Sequence, residues 1–199
     1  MAALAPKKPR PFLLVLSAPS GAGKTTVCQG LLKRHPGLKR CVTATTRPPR
    51  GGERDGRDYY FLSPARFRRL LKAGGFYEHA LVHGHHYGTP RGAVEQSLRR
   101  GRSLVLVIDV QGGLAVKRLR RDSVLVFLLP PSLGELKRRL RSRGTDSPGE
   151  IRRRLANARG ELEAARRYDY LVVNGELEEA VDQVSAIYRA EGLRSSRAA

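Results

Sequence analysis

Cysteine is scarce in this 199-residue chain: Cys28 and Cys41 stand alone, with no second pair and no Cys/His spacing of the kind that holds zinc. That excludes a disulfide framework and a thiolate-built structural metal. No stretch approaches the roughly 18 consecutive apolar residues of a membrane span. Met1–Pro11 carries Lys7, Lys8 and Arg10 but lacks the apolar centre of a signal peptide. Internal repeats and low-complexity tracts are missing as well. Acids are outnumbered, 18 against 38 bases, for a formal net charge of +20. Such a balance selects a nucleic-acid or membrane surface, or an enzyme of highly anionic small molecules. The 30 arginines and 8 lysines are spread along the length and mixed with acids, so no block reads as a nucleic-acid arm. A soluble, cytoplasmic protein is expected, with residues 1–10 and Ser195–Ala199 frayed.

What the chain does have is a single run that organises the rest. Leu13 to Leu16 are four consecutive apolar residues, the pattern of a buried parallel strand, and Ser17 to Gly23 are all small or ring-constrained. Lys24, Thr25 and Thr26 then open a helix. Backbone there can wrap a polyphosphate closely, the helix N-terminus favours an anion, and Lys24 adds a mobile positive charge. The Thr25 hydroxyl falls where a Mg²⁺ ligand is needed. The phosphate-loop pattern G-x-x-x-x-G-K-[ST] is met except at its first position, where Ala18 replaces glycine. Ala18, Pro19, Ser20, Gly21, Ala22, Gly23, Lys24, Thr25 and Thr26 are therefore the candidate triphosphate contacts.

Strand and helix signals alternate after the loop. Helix is expected to His35, then over Ser63–Lys72 with Ser63 as N-cap and Pro64 at the first position, and over Pro90–Arg100. Strands are expected at Phe76–His83 and His85–Thr89, then at Leu104–Ile108, Val124–Leu129 and Leu171–Val173. Asp109 ends the Leu104 strand, where phosphate-loop folds commonly place an acid near Mg²⁺. The alternation predicts an α/β fold with a parallel sheet and ligands at the C-terminal ends of its strands. Residues 40–62 are polar and rich in Gly and Pro, closed by an aromatic strand, and read as an inserted binding segment. Ser132–Arg167 is a helical tract broken at Arg143–Gly149, a hinge between two arginine-bearing helices.

Within the insert, Arg47 and Arg50 lie three apart near Tyr59, Tyr60 and, further on, Tyr87. Two forked guanidiniums plus phenol donors suit a monoester phosphate. A triphosphate cradle and a separate monophosphate clamp in one small chain suggest a nucleoside-monophosphate kinase. Glu78 sits between aromatics in a short strand. A carboxylate there accepts from both N1–H and the 2-amino group of guanine, which adenine does not offer, or else pairs with a nearby arginine.

With those residues in hand the chain resembles guanylate kinase from about Leu13 to about Leu193. The matching runs are Ser17–Thr25, Thr45–Glu53, Gly56–Phe61, Tyr87–Thr89, Ile108–Gly112, Leu129–Ser132 and Val172–Asn174. The alanine at position 18 is familiar among bacterial members. The resemblance implies a three-layer α/β/α core with a phosphate loop, an inserted GMP-binding subdomain and a helical lid. Its boundaries are residues 1–39 for the core with the loop, 40–90 for the GMP subdomain, 91–140 for core, 141–168 for the lid and 169–199 for the last core strand and helix.

It also implies ATP and GMP as substrates, with dGMP a candidate acceptor, Mg²⁺ as cofactor, and no specific nucleic acid or membrane. Arg47, Arg50, Tyr59 and Tyr87 would hold the GMP phosphate, and Glu78, Thr43, Thr89 and Asp109 would face the guanine. Lys24, Arg139, Arg143 and Arg154 would stabilise the transferring group, and Asn174 would lie near the adenine. The family commonly has a second acid two positions before Asp109, where this chain has Val107. Ala44 and the His85–His86 pair are smaller departures. Two other readings stay open: a guanylate-kinase-like scaffold that binds protein, and a phosphate-loop kinase for another phosphorylated acceptor.

Overall fold

A computed structural model describes residues 10–82, 84–142 and 147–197. In chain order the elements are β1 (Leu13–Ser17), α1 (Lys24–Arg34), β2 (Lys39–Arg40), β3 (Ala44–Thr45), β4 (Tyr60–Phe61), α2 (Pro64–Lys72), β5 (Phe76–Val82) and β6 (His85–Pro90). They continue as α3 (Arg91–Arg99), β7 (Leu104–Val107), α4 (Val110–Leu119), β8 (Val124–Leu129), α5 (Leu133–Ser142), α6 (Pro148–Ala164), β9 (Tyr170–Val173) and α7 (Leu177–Gly192).

Five parallel strands in the order β2-β7-β1-β8-β9 form the central sheet. The unbroken apolar run at Leu13–Leu16 is explained by this position, because β1 is covered on both faces. Leu14 and Leu16 meet Val27 and Leu31 of α1 and Val181 and Val184 of α7, while Leu13 and Val15 share the opposite core with Val94 of α3 and Val116 of α4. Alternate side chains of one strand thus feed two cores, and a three-layer α/β/α arrangement follows.

A second, four-stranded sheet in the order β4-β3-β6-β5 carries the insert. Its own small core is Ala44, Phe67 and Phe76, the last two stacked at 4.4 Å. Ser63 caps α2 by accepting from the Arg66 N–H at 3.2 Å, as its position before Pro64 predicts.

Two expectations need correction. Four core strands were expected and five are present, because Lys39–Arg40 pairs with Leu104 and Val105; two polar residues at a sheet edge carry no apolar alternation to read. Ser195–Arg197 is not frayed: it forms a 3-10 turn with Arg197 buried. The Arg197 guanidinium lies 4.3 Å from the centre of the Phe12 ring, donates to Asp122 O at 2.6 Å and pairs with buried Glu191 at 3.3 Å. Its carbonyl accepts the Arg10 N–H at 2.8 Å, which fixes the start of the strand that leads into the phosphate loop. Arg197→Ala is expected to cost about 2–4 kcal/mol in urea unfolding with an unchanged m-value, because Glu191 then keeps only Tyr170 and Arg194 as partners.

Candidate active site

The C-terminal end of β1 runs into the loop Ser17–Gly23, which hands over to α1 through two left-handed glycines, Gly21 at φ 95° and Gly23 at φ 91°. Neither position has room for a side chain. A Cβ on Gly21 would stand 2.9 Å from Leu140 of α5, and one on Gly23 would stand 2.4 Å from the Asn174 amide. The loop is thereby held from two sides while its cavity face stays open. Ala18 and Ala22 are buried, Ala18 within the core formed with α1, so the residue that departs from the motif's glycine is absorbed as packing. Lys24 donates to Ala18 O, folding its side chain back along the loop.

One cavity of about 790 Å³ joins this loop to the second sheet. At the loop end it is lined by Ala18, Pro19, Ser20, Gly21, Gly23, Lys24, Thr25 and Thr26; at the far end by Thr43, Arg47, Arg50, Tyr59, Glu78 and Tyr87; and between them by Asp109. The sheets bring together residues that are far apart in the chain.

The Arg47 guanidinium is buried and directed by protein. Nη2 donates to both Glu53 oxygens at 2.8 and 2.9 Å, Nη1 to Pro48 O at 2.7 Å, and Nε to the Tyr87 hydroxyl at 3.3 Å. It also stands 5.4 Å from the Tyr59 ring centre. Glu53 also accepts the Arg50 backbone N–H at 2.7 Å, so one carboxylate holds the Arg47 guanidinium and the main chain at Arg50. Burial alone would raise the Glu53 carboxyl, but the hydrogen bonds from Arg47 and Arg50 outweigh it and hold it below its usual range.

Glu78 is 6% exposed and accepts the Thr89 hydroxyl at 2.6 Å through one oxygen. The other oxygen lies where a Cβ on Gly112 would be 2.6 Å away, so that glycine makes room for it. Burial pushes the Glu78 carboxyl up to about 7; the Thr89 hydrogen bond opposes this and the charge of Asp109 adds to it. Asp109 caps α4, accepting the Gly112 N–H at 2.8 Å. Thr43 and Thr89 are both buried; Thr43 lines the cavity, while Thr89 stands behind Glu78 rather than on the wall.

Helix α6 crosses the loop end. It starts in a capping box between Ser147 and Glu150, which places Glu150, Arg153, Arg154 and Glu161 on the cavity wall. Arg154 Nη1 donates to Ser20 Oγ at 2.5 Å. Among the described residues no three His, Cys, Asp or Glu side chains group to hold a metal by themselves. The oxygen donors on the wall, Thr25, Asp109 and Glu161, suit instead a hard cation that arrives with phosphate and keeps much of its water.

A family model for guanylate kinase matches residues 10–191. The chain belongs to the guanylate kinase family. It is 49% identical to a guanylate kinase of Aromatoleum aromaticum over 182 residues, covering 92% of this chain and 89% of that one. A guanylate kinase of Rhodospirillum rubrum is 47% identical over 189 residues, covering 94% and 87%. The crystal structure of guanylate kinase from Anaplasma phagocytophilum superposes with a TM-score of 0.82 at 38% identity, over 96% of this chain and 90% of that one.

Set against the guanylate kinase roles expected from the motifs, Asn174, Arg139, Thr89 and Ala22 stand off the cavity wall, Thr89 behind Glu78 and Ala22 in the core with its N–H given to Pro19 O. Asn174, expected near the adenine, is buried behind the loop with its Nδ2 donating to Ala22 O at 2.7 Å. One of its two amide N–H groups is thus committed to main chain behind the loop. Arg139, expected on the transferring group, is off the cavity wall: Nε donates to Glu135 at 2.7 Å and Nη2 to Asn174 O at 3.1 Å. Arg143 lies outside the described residues. Val107 is on the cavity wall beside Asp109, so no second carboxylate comes from β7. Sequence reasoning missed Glu53, Glu161 and Arg40, which also lines the cavity and donates to Asp58 O at 2.8 Å. Glu53 was legible as an acid three residues past Arg50; nothing in the spacing pointed to the other two.

Proposed function

We propose that the chain transfers the γ-phosphoryl group of ATP to a phosphate oxygen of GMP, giving ADP and GDP, in cytoplasmic purine nucleotide metabolism. The observation that carries this is the single cavity with a phosphate loop at one end and, at the other, an arginine clamp beside a buried carboxylate. Ser20, Gly21 and Gly23–Thr26 would hold the ATP phosphates through backbone N–H groups and Lys24. Arg47, Arg50, Tyr59 and Tyr87 would hold the acceptor phosphate, and Glu78, on the same cavity wall as Thr43, would accept from the guanine.

The acceptor oxygen is already anionic, so no general base is required. This chain's part is alignment and charge stabilisation, with Lys24 and Arg154 closest to the bond being exchanged. Thr25 would hold Mg²⁺, with Asp109 and Glu161 facing its water shell, and the cation neutralises β- and γ-phosphate oxygens when bound. Closure of α6 over the loop excludes water and limits wasteful hydrolysis.

An assay coupling ADP release to NADH oxidation, run across GMP, dGMP, AMP, UMP and dTMP, tests the reading. GMP is expected to lead and dGMP to follow. AMP turning over as fast as GMP would remove Glu78 from its role, and no turnover with any acceptor would favour the scaffold reading. Glu53 supplies a finer test. Glu53→Gln is expected to raise the KM for GMP by roughly tenfold, with kcat and the KM for ATP little changed, because the amide leaves a single neutral acceptor where the carboxylate met Arg47 through both oxygens and also took the Arg50 N–H.

A further inference from the structure

The place of Asn174 gives its amide a task within the fold, because one Nδ2 N–H is taken by the Ala22 carbonyl. We propose that Asn174 is a positioning residue for the phosphate loop, and that Arg139 couples it to the helical pair that forms the lid; the inference rests on the kinase reading above.

The case starts from the peptide between Ala22 and Gly23. The first turn of α1 closes by the Val27 N–H donating to Gly23 O at 3.1 Å, one residue past Ala22. The left-handed turn at Gly23 rotates the Ala22 carbonyl away from the helix and into protein. A buried carbonyl left without a donor costs about 1–3 kcal/mol, and the Asn174 amide supplies that donor. The fit is close enough that Gly23 tolerates no side chain in front of the amide. That hydrogen bond therefore holds the Ala22–Gly23 peptide, one peptide before the one that carries the Lys24 N–H.

Asn174 is itself held by both of its main-chain groups. Its N–H donates to Leu129 O at 2.8 Å, which continues the β8–β9 pairing past the strand end. Its carbonyl accepts Arg139 Nη2, and Arg139 is anchored in turn by Glu135 on the same helix. Arg139 belongs to α5, the helix that precedes the lid helix α6 in the chain, and α5 also presses Leu136 and Leu140 against Gly21. The loop is thus gripped by α5 twice: by apolar packing at Gly21, and through Arg139 and Asn174 at Ala22. A shift of α5 when the lid moves is transmitted to the loop carbonyl without any contact to nucleotide.

The experiment compares ATP, GTP and CTP as donors to GMP in wild type, Asn174→Ala and Arg139→Lys. A positioning role predicts that Asn174→Ala lowers kcat by about tenfold to a hundredfold with every donor alike, as small misplacements of reacting groups do. The ATP:GTP and ATP:CTP ratios of kcat/KM and the KM for GMP then stay where they are. Arg139→Lys keeps the charge but loses the fork that spans Glu135 and Asn174, and is expected to show the same pattern more weakly. Hydrogen exchange of the 20–25 amides should speed up in both variants. A several-fold change in donor preference in Asn174→Ala, or kcat and exchange both unmoved, would overturn the proposal. Failure of the kinase reading is separate, because it appears as absence of turnover in the wild type.

Discussion

Lys24→Met is expected to lose about two to three orders of magnitude in kcat, the usual cost of removing one preorganised donor from a developing charge. The structure makes that loss specific. Lys24 lies at the first turn of α1 with its side chain laid along the loop to Ala18 O. Methionine fills the same space without the charge, so the fold and the clamp at Arg47 are untouched. The KM for GMP should stay within about twofold, and the melting temperature should not fall. Lys24→Arg is not expected to rescue, since a planar fork does not occupy the place of a compact ammonium against a loop this close. Single-turnover rates with saturating ATP and GMP measure the chemical step directly. Near wild-type turnover in Lys24→Met would withdraw the role assigned to it.

Glu78→Gln separates activity from stability in opposite directions. A neutral amide at this site offers guanine one acceptor and one misplaced donor, and kcat/KM for GMP should fall by about a hundredfold. AMP, which gains nothing from the carboxylate, should be little affected, so the preference between the two collapses. The fold should become more stable at pH 8, because a desolvated charge is removed.

The same acid makes acceptor binding depend on pH. Guanine needs the ionised form, and Glu78 ionises only at about 7. Below that value the competent fraction shrinks, so the KM for GMP should be about tenfold higher at pH 6 than at pH 8. A monoester phosphate also takes up a proton near pH 6. Glu78→Gln isolates the part due to the acid: its residual pH dependence is that of the phosphate alone. An identical pH profile in wild type and variant would show that Glu78 does not face the base.

The parts of this molecule that could be read from its sequence are those whose causes are local. The run at Leu13–Leu16, the loop glycines and the Ser63–Pro64 start of α2 are each decided within a few residues, and the structure bears them out. Arg47, Tyr59 and Tyr87 were legible because several uncommon donors fell in one segment that lacked core residues. What could not be read depends on partners distant in the chain. Lys39–Arg40 becomes a strand only because β7 lies beside it. Arg197 looks like the tail of a polar terminus until Phe12 and Glu191 are placed next to it. Asn174 was matched to the base by its motif, yet its amide is taken by a carbonyl 152 positions away. With 30 arginines in the chain, composition gives no means of saying which of them meets Glu53.

The central place of β1 has a consequence for how the chain is made. Its neighbours on the two sides are residues 104–107 and 124–127, and the strand has no nearer partner in its sheet. During synthesis this apolar strand must therefore wait, unpaired, until residues 104–107 have been added. Non-local parallel pairing of this kind folds slowly and leaves the waiting segment open to aggregation. The second sheet is different: β3, β4, β5 and β6 all lie between residues 44 and 90 and can pair while the core is still incomplete. The second sheet can then form before the phosphate loop takes shape, although the loop is translated ahead of it.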